Sequence, residues 1–177
     1  MAERVYWGTV KFKECILYLV ATDLGLALVS WPDESFEAVE DFVQNRLPGR
    51  VLTRDPLKVK AYKDALHQYL EYGRVDIHEL PLDLQGTDFQ IAVWQALIDI
   101  PAGQTRTYSD IAERIGRQDA VRAVAHAIGV NPIPFLIPCH RVIGKDGNLT
   151  GYRGRLLLKE SLLQLEGFLP KEPEYYL

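Results

Sequence analysis

The chain lacks the long apolar runs and the leader pattern that mark membrane and exported proteins. No stretch of its 177 residues reaches the roughly 18 to 20 consecutive apolar positions that span a bilayer. The N-terminus also lacks the basic, then apolar, then small-residue order of a signal peptide. We therefore expect a cytoplasmic protein without membrane partners. Because that compartment is reducing, its only two cysteines, Cys15 and Cys139, are expected to be free thiols.

The chain also lacks an overall positive charge. It carries 20 Lys and Arg against 24 Asp and Glu, a net charge of −4, which argues against a generally cationic nucleic-acid-binding surface. The charge is unevenly distributed, however. Residues 1–90 carry 10 basic against 15 acidic side chains, net −5, whereas residues 101–159 carry 9 against 4, net +5. Positive charge therefore surrounds Cys139, with ordinary solvated surface charge as the alternative interpretation.

Two classes of cofactor have no support in the sequence. There is no Walker loop and no glycine pattern of a dinucleotide-binding fold. Neither cysteine is spaced from a histidine as in a zinc finger or a zincin. We predict that the protein needs neither a metal nor an organic cofactor.

The first half of the chain has the pattern of a small sheet covered by helices. Apolar and β-branched runs, separated by turn residues, predict three strands, and apolar residues at helical spacing predict two amphipathic helices that end before Pro48 and Gly73. The strands are predicted at 6–13, 16–21 and 26–31, the helices over about 36–43 and 57–70, and a further short strand over 75–84. We place a domain boundary after this strand, giving an α/β domain of residues 1–85.

The second half, residues 86–177, is predicted to be mainly helical. Apolar spacing predicts a helix from Phe89 to Ile98, a short helix over 110–115 capped by Ser109, a third over about 119–128, and a last one over 156–166. The second and third helices flank a tight turn at Gly116 and have the proportions of a helix-turn-helix. A purely structural helix hairpin is the alternative.

Cys139 follows a rigid, apolar segment punctuated by Pro132, Pro134 and Pro138, which restrict the backbone. Only a thiolate is a strong nucleophile, so a catalytic Cys139 needs a base. The adjacent His140 is the candidate base, acting through a water molecule if the segment is extended, and Glu166 is the candidate carboxylate that orients the imidazole. A buried, inert core cysteine is the competing interpretation.

The second half resembles the methylated-DNA–protein-cysteine methyltransferases, also called O6-alkylguanine-DNA alkyltransferases. The resemblance covers roughly residues 86–167, and its most specific part is the run Pro138-Cys-His-Arg-Val-Ile-Gly144. The other matching motifs are Gly86-Thr-Asp-Phe-Gln90, Val93-Trp94, Ile100-Pro-Ala-Gly103, Thr107-Tyr108, Ala123-Val124, Asn131-Pro132, Gly151-Tyr152 and Glu166-Gly167.

The resemblance implies an α+β protein with a ribonuclease-H-like N-terminal domain and a helical, winged-helix-like DNA-binding domain. Its partner is double-stranded DNA containing alkylated bases, and no obligate protein partner is implied. The helix-turn-helix enters the minor groove, and the damaged guanine is flipped out of the stack into a pocket beside Cys139. Cys139 then takes the alkyl group from O6-alkylguanine, with O4-alkylthymine as a second candidate lesion. Because nothing removes the thioether, each molecule acts once.

The resemblance also assigns roles to individual residues. Tyr108 is the proton donor to the guanine ring, Asn131 braces the turn before the active-site segment, and Glu166, His140 and a water form the proton relay. Backbone carbonyls of Cys139 and Val142 accept from the guanine amino group, and Tyr152 and Arg153 line the pocket. Arg122, flanked by Ala123, is the finger that replaces the extruded base, with Thr107 as a further DNA contact. For Arg122 a phosphate contact or a surface ion pair is the alternative, and Arg141 is expected to be structural.

Three residues depart from the family pattern: His126, Arg153 and Arg155 occupy positions where small residues are common. They leave the contacts to DNA and the range of lesions open. Two other functions remain as alternatives: an alkyltransferase-like lesion binder, which lacks a reactive cysteine, and an unrelated cysteine hydrolase, which would need an oxyanion hole and turnover.

Overall fold

The computed structural model describes residues 2–152 and 155–170, and its first half is built on a four-stranded sheet. The strands are β1 (Arg4–Phe12), β2 (Cys15–Ala21), β3 (Leu26–Val29) and β4 (Val51–Arg54), in the order β3-β2-β1-β4. Neighbouring strands are antiparallel except for β4, which runs parallel to β1. The β1–β2 hairpin turns at Lys13, whose φ of 52° is in the left-handed region.

Two helices cover opposite faces of this sheet because its side chains alternate. Val5 and Val20 point to the face covered by α1 (Phe36–Arg46), whereas Val10 and Leu19 point to the face covered by α2 (Lys60–Tyr72). The second face also packs against the second half of the chain, so one hydrophobic core contains residues of both halves. The boundary between residues 85 and 86 stays a prediction.

The second half is a cluster of helices. It contains α3 (Asp88–Ile98), α4 (Tyr108–Arg114), α5 (Val121–Gly129) and α6 (Leu156–Leu165), with the two-residue strands β5 (Arg106–Thr107) and β6 (Val142–Ile143) paired in parallel. Capping boxes fix the starts of α3 and α4, since the hydroxyls of Thr87 and Thr107 each accept a backbone N–H of the first turn. Gly116, at a φ of 71°, forms the turn of the helix-turn-helix.

The structure confirms the mixed α+β fold and corrects three details. The strand predicted over 75–84 is wrong, because within that segment only Leu82 pairs, through an isolated bridge to Leu26. Strand β4 was not predicted. Helix α4 starts at Tyr108 and is capped by Thr107, so the prediction of a Ser109 cap is also wrong. Among the described residues, no helix is long and apolar enough to cross a membrane.

Candidate active site around a buried thiol

Cys139 is held by a segment that is buried from Asn131 to Val142. The Asn131 side chain braces this segment, as its Nδ2 donates to the carbonyl of Ile137 at 2.9 Å and its Oδ1 accepts from the amide of Ile133 at 3.0 Å. The segment ends in a single 3₁₀ turn, Cys139–Arg141, so the expectation of an extended chain at the cysteine is wrong. Successive side chains in such a turn are about 120° apart rather than on opposite sides.

The thiol of Cys139 is protonated at neutral pH. The residue is 2% exposed, and burial raises the pKa of its thiol, while the Asn131 side chain and the charge of Lys159 lower it by less. A raised pKa makes the thiol a poor nucleophile until a base removes its proton. The site therefore requires a base next to the cysteine.

His140 has the properties of that base. Its side chain is fully buried, and burial lowers the pKa of the imidazole, which is therefore neutral at pH 7. Its Nε2 lies 2.6 Å from Oε1 of Glu166, whereas its Nδ1 has no hydrogen-bond partner among the described residues. Since a carboxylate only accepts, Nε2 carries the proton and Nδ1 keeps a free lone pair.

Glu166, the residue that follows α6, is the centre of a buried polar cluster. Arg141 donates to it from Nε at 2.9 Å and Nη2 at 2.8 Å, and from Nη1 to the carbonyl of Ile100. Burial raises the pKa of Glu166, but the hydrogen bonds and charges of His140 and Arg141 outweigh it and lower the pKa to about 2. Glu166 is therefore a permanent anion. Arg141 neutralises it and touches no part of the cavity beside the thiol.

Two further buried polar residues at the site were not singled out by the sequence: Tyr69 belongs to the Glu166 cluster, and Lys159 bonds to the backbone beside it. Tyr69 on α2 is 1% exposed, and its hydroxyl donates to Oε1 of Glu166 at 2.7 Å and lies 2.9 Å from Nε2 of His140. Lys159 on α6 is 1% exposed, and its Nζ donates to the carbonyls of Val142 at 2.5 Å and Thr150 at 3.0 Å. Burial lowers the pKa of Lys159 to about 8, and its positive charge favours the thiolate of Cys139. The position of Lys159 directly after Leu156, Leu157 and Leu158 was the available signal for a buried charge.

A cavity of about 150 Å³ opens beside the thiol. It is lined by Trp31, Tyr108, Ala125, Ile128, Gly129, Cys139, Gly151, Tyr152 and Lys159. A larger groove of about 570 Å³ is lined by Tyr69 and Arg141 but does not reach Cys139. The small cavity is therefore the one in which a group can meet the sulfur.

Two tyrosines contribute polar atoms to this cavity region. The Tyr108 hydroxyl donates to the carbonyl of Thr150 at 3.1 Å. Gly151 has a φ of 75°, in the left-handed region that favours glycine, and a Cβ there would lie 2.8 Å from the Tyr108 hydroxyl. Burial raises the pKa of Tyr108, which keeps its proton at neutral pH. The hydroxyl of Tyr152 is buried without a hydrogen-bond partner among the described residues, and its proximity to Cys139 lowers the pKa of the thiol.

The predicted DNA-contacting residues lie together at the helix-turn-helix. Arg122 and Ala123 are exposed at the start of α5, and Arg122 makes no ion pair with any residue in 2–152 or 155–170. Thr107 is half-buried and uses its hydroxyl to cap α4. His126 is exposed on α5.

The two unusual arginines differ in what the structure shows. Arg153 lies outside the described residues. Arg155 forms an ion pair with Asp33 at 2.7 Å, and its guanidinium stacks 4.5 Å from the ring centre of Trp31. Arg155 therefore joins the second half of the chain to the loop that supplies one wall of the cavity.

The chain is similar to known proteins over most of its length. The family model for the 6-O-methylguanine DNA methyltransferase, DNA binding domain, matches residues 88–168. The chain is 45% identical over 162 residues to the inducible methylated-DNA–protein-cysteine methyltransferase of Bacillus subtilis, covering 92% of this chain and 90% of that protein. It is also similar to the crystal structure of the Mycobacterium tuberculosis O6-methylguanine methyltransferase, with a TM-score of 0.77 and 37% identity over 95% of this chain and 96% of that one. The M. tuberculosis OGT structure in complex with DNA matches with a TM-score of 0.75 and 38% identity, covering 91% and 92%.

Proposed function

The chain belongs to the methylated-DNA–protein-cysteine methyltransferase family, and we propose that it repairs DNA by moving an alkyl group from O6-alkylguanine to Cys139. The observation that best supports this function is a protonated, buried thiol that lines a cavity of about 150 Å³ and has an imidazole base beside it. That combination suits one displacement at a small alkyl carbon. O4-alkylthymine is a second candidate lesion.

The chemistry needs only the residues of the site. His140 takes the proton of the Cys139 thiol through a water at Nδ1, and Glu166 stabilises the imidazolium that forms. The thiolate attacks the alkyl carbon, the C–S bond forms, and the bond from that carbon to O6 breaks with its electron pair staying on guanine. Tyr108 leaves the carbonyl of Thr150 and donates a proton to the guanine ring. The proton that left the thiol then reprotonates Tyr108. The net reaction transfers the alkyl group from guanine to Cys139 and one proton from Cys139 to guanine.

Duplex DNA is the proposed partner, and α5 is the proposed reading element. Arg122 has no ion pair within the described chain and is exposed, so it is available to fill the space of an extruded base, with Ala123 beside it and Thr107 at the start of α4. The flipped base enters the cavity between Tyr108 and the wall formed by Trp31 and Tyr152. The carbonyl of Val142 already accepts from Lys159 but has a second lone pair for the guanine amino group.

The protein is consumed by its reaction. A thioether is not hydrolysed by an imidazole, and the cluster around Cys139 offers no second thiol to receive the group, because Cys15 lies at the start of β2. Each molecule therefore repairs one lesion. A thiol that must stay reduced until used suits the cytoplasm, which is the compartment we propose.

The two rival functions have less support. A lesion binder without chemistry would not need a thiol, a neutral imidazole and an anionic carboxylate in one buried cluster. A cysteine hydrolase would have to turn over, which requires an attacking water after the first step and donors for an oxyanion. The relatives at 45% to 51% identity are named methyltransferases.

The test is the stoichiometry of repair. A duplex with one O6-methylguanine is mixed with increasing protein, and the remaining lesion is counted by nucleoside chromatography. We expect repair to stop at one lesion per protein, no repair by Cys139→Ala, and normal repair by Cys15→Ala. More than one lesion repaired per protein would exclude a consumed acceptor.

A further inference from the structure

We propose that Tyr69, from helix α2 of the first half, is a positioning residue that holds the proton on Nε2 of His140 and so leaves Nδ1 free to act as the base for Cys139. This inference rests on the function proposed above. Tyr69 is separated from His140 by 71 residues and from Glu166 by 97, yet its hydroxyl lies within 2.9 Å of both.

The hydrogen-bond roles in this triangle have one self-consistent solution. The three atoms are the Tyr69 hydroxyl oxygen, Oε1 of Glu166 and Nε2 of His140, separated by 2.6 to 2.9 Å. Glu166 is anionic and can only accept, so the phenol proton goes to it, because a bond to a charged acceptor is the stronger one. The Tyr69 oxygen can then only accept from Nε2. Two acceptors facing Nε2 require that it carries a proton.

Tyr69 keeps its own proton throughout. Burial raises its pKa far above the ordinary value, and the nearby Glu166 charge raises it further. The hydroxyl is therefore a permanent donor to Glu166 and a permanent acceptor for His140. Removing it leaves Glu166 to hold the imidazole alone.

Glu166 alone would hold the His140 imidazole in one tautomer only weakly, because its Oε1 accepts from several donors at once. Besides Nε2, that oxygen receives the Tyr69 hydroxyl and two nitrogens of Arg141, at 2.8 and 3.1 Å. Four donors share one oxygen with about two lone pairs. The Tyr69 oxygen gives the imidazole N–H a second acceptor that Arg141 does not use. Without it, the tautomer with the proton on Nδ1 becomes accessible, and that tautomer cannot take the thiol proton.

The first half of the chain thus contributes a polar atom to the relay as well as an apolar face. Tyr69 is packed on α2 against the sheet, and the ring of His140 lies 6.0 Å from its own ring. A change in how α2 packs on the second half would alter the base without touching DNA or the cavity.

The kinetic test compares Tyr69→Phe with a matched control, Tyr62→Phe. Both remove the hydroxyl of a buried tyrosine on α2, but Tyr62, unlike Tyr69, makes no hydrogen bond with Glu166 or His140 in the described part of the chain. Methyl transfer from an O6-methylguanine duplex is timed in single-turnover reactions between pH 6 and 10. We expect Tyr69→Phe to react about tenfold or more slowly at pH 7. The deficit should shrink as the pH rises, because hydroxide then takes a growing share of the thiol protons in place of the base. Tyr62→Phe should follow wild type.

A rate deficit that is the same at every pH would show simple misplacement and overturn the inference, as would a Tyr69→Phe profile identical to wild type. The tautomer is read separately from long-range ¹⁵N–¹H spectra of histidine-labelled protein, in which the signals of His140 are assigned with a His140 variant. We expect protonated Nε2 and bare Nδ1 in wild type, and a mixture in Tyr69→Phe. Protonated Nδ1 in wild type would overturn the inference even if the variant does not fold. If wild type transfers no methyl group, the proposed function fails, while the spectra still decide the tautomer.

Discussion

Replacing Glu166 by Gln tests the energetics of the buried cluster most sharply. The substitution keeps the size of the side chain and removes its charge. The Glu166 side chain has no exposed surface and binds Arg141, His140 and Tyr69. In the variant the guanidinium of Arg141, in a residue that is 9% exposed, is left without its counter-ion.

Two estimates of the stability lost on Glu166→Gln agree. Lowering the pKa of Glu166 from its ordinary value of 4.5 to about 2 corresponds to about 3 kcal/mol in favour of the folded state. Breaking a buried ion pair by removing one partner costs about 3 to 5 kcal/mol in other proteins. We therefore expect Glu166→Gln to lower the free energy of unfolding by about 3 kcal/mol at pH 7.

The stability difference between wild type and Glu166→Gln should depend on pH in a predictable direction. Because the pKa of Glu166 is lower in the folded protein, its stabilisation is complete above about pH 4.5 and is lost as the pH falls towards 2. Urea unfolding from pH 3 to 7 should show the gap between wild type and Glu166→Gln narrowing with acid. Glu160→Gln, the same change on α6 away from the cluster, is the control and should behave as wild type. A gap below about 1 kcal/mol at pH 7, or one independent of pH, would refute the reasoning.

Two further predictions concern DNA and the cavity. Arg122→Ala should slow methyl transfer from duplex DNA by about tenfold and leave the rate with free O6-benzylguanine unchanged, because a free base does not need to be flipped. Arg46→Ala, on the exposed side of α1, is the control. An equal loss of rate on both substrates would disprove the finger role of Arg122. Trp31→Leu should enlarge the cavity and raise the benzyl-to-methyl rate ratio by about tenfold, since pocket volume discriminates by that order. Trp7→Leu, on the opposite face of the sheet, is its control, and an unchanged ratio in Trp31→Leu would show that Trp31 does not limit alkyl size.

The sequence predicted the part of the site that is local in the chain, and it also predicted the pairing of His140 with Glu166, which spans 26 residues. Cys139 and His140 are adjacent, and Asn131 bonds within six residues of itself, so the motif contains this geometry. Tyr69 could not be found in this way. At its position the helical pattern predicts only a core-facing residue, and nothing near it in sequence shows that its hydroxyl bonds to residues 71 and 97 positions away.

In the fold, too, pairings between neighbouring segments were predicted and pairings between distant segments were not. Strands β1 and β2 form a hairpin, and both the alternation of their apolar side chains and the turn between them can be read from consecutive residues. Strand β4 pairs in parallel with β1 across two intervening strands and a helix, and its four residues are too few to show a pattern. The segment 75–84 has the composition of a strand, but of its residues only Leu82 forms a β-bridge.

The identity of the alkylated atom tests the central claim most directly. The protein is incubated with a duplex carrying isotopically labelled O6-methylguanine, digested, and mapped by peptide mass spectrometry. The account predicts one labelled methyl group, on the sulfur of Cys139, in an amount equal to the lesions lost. Label on Cys15 or any other residue, or loss of lesions without label on the protein, would contradict it.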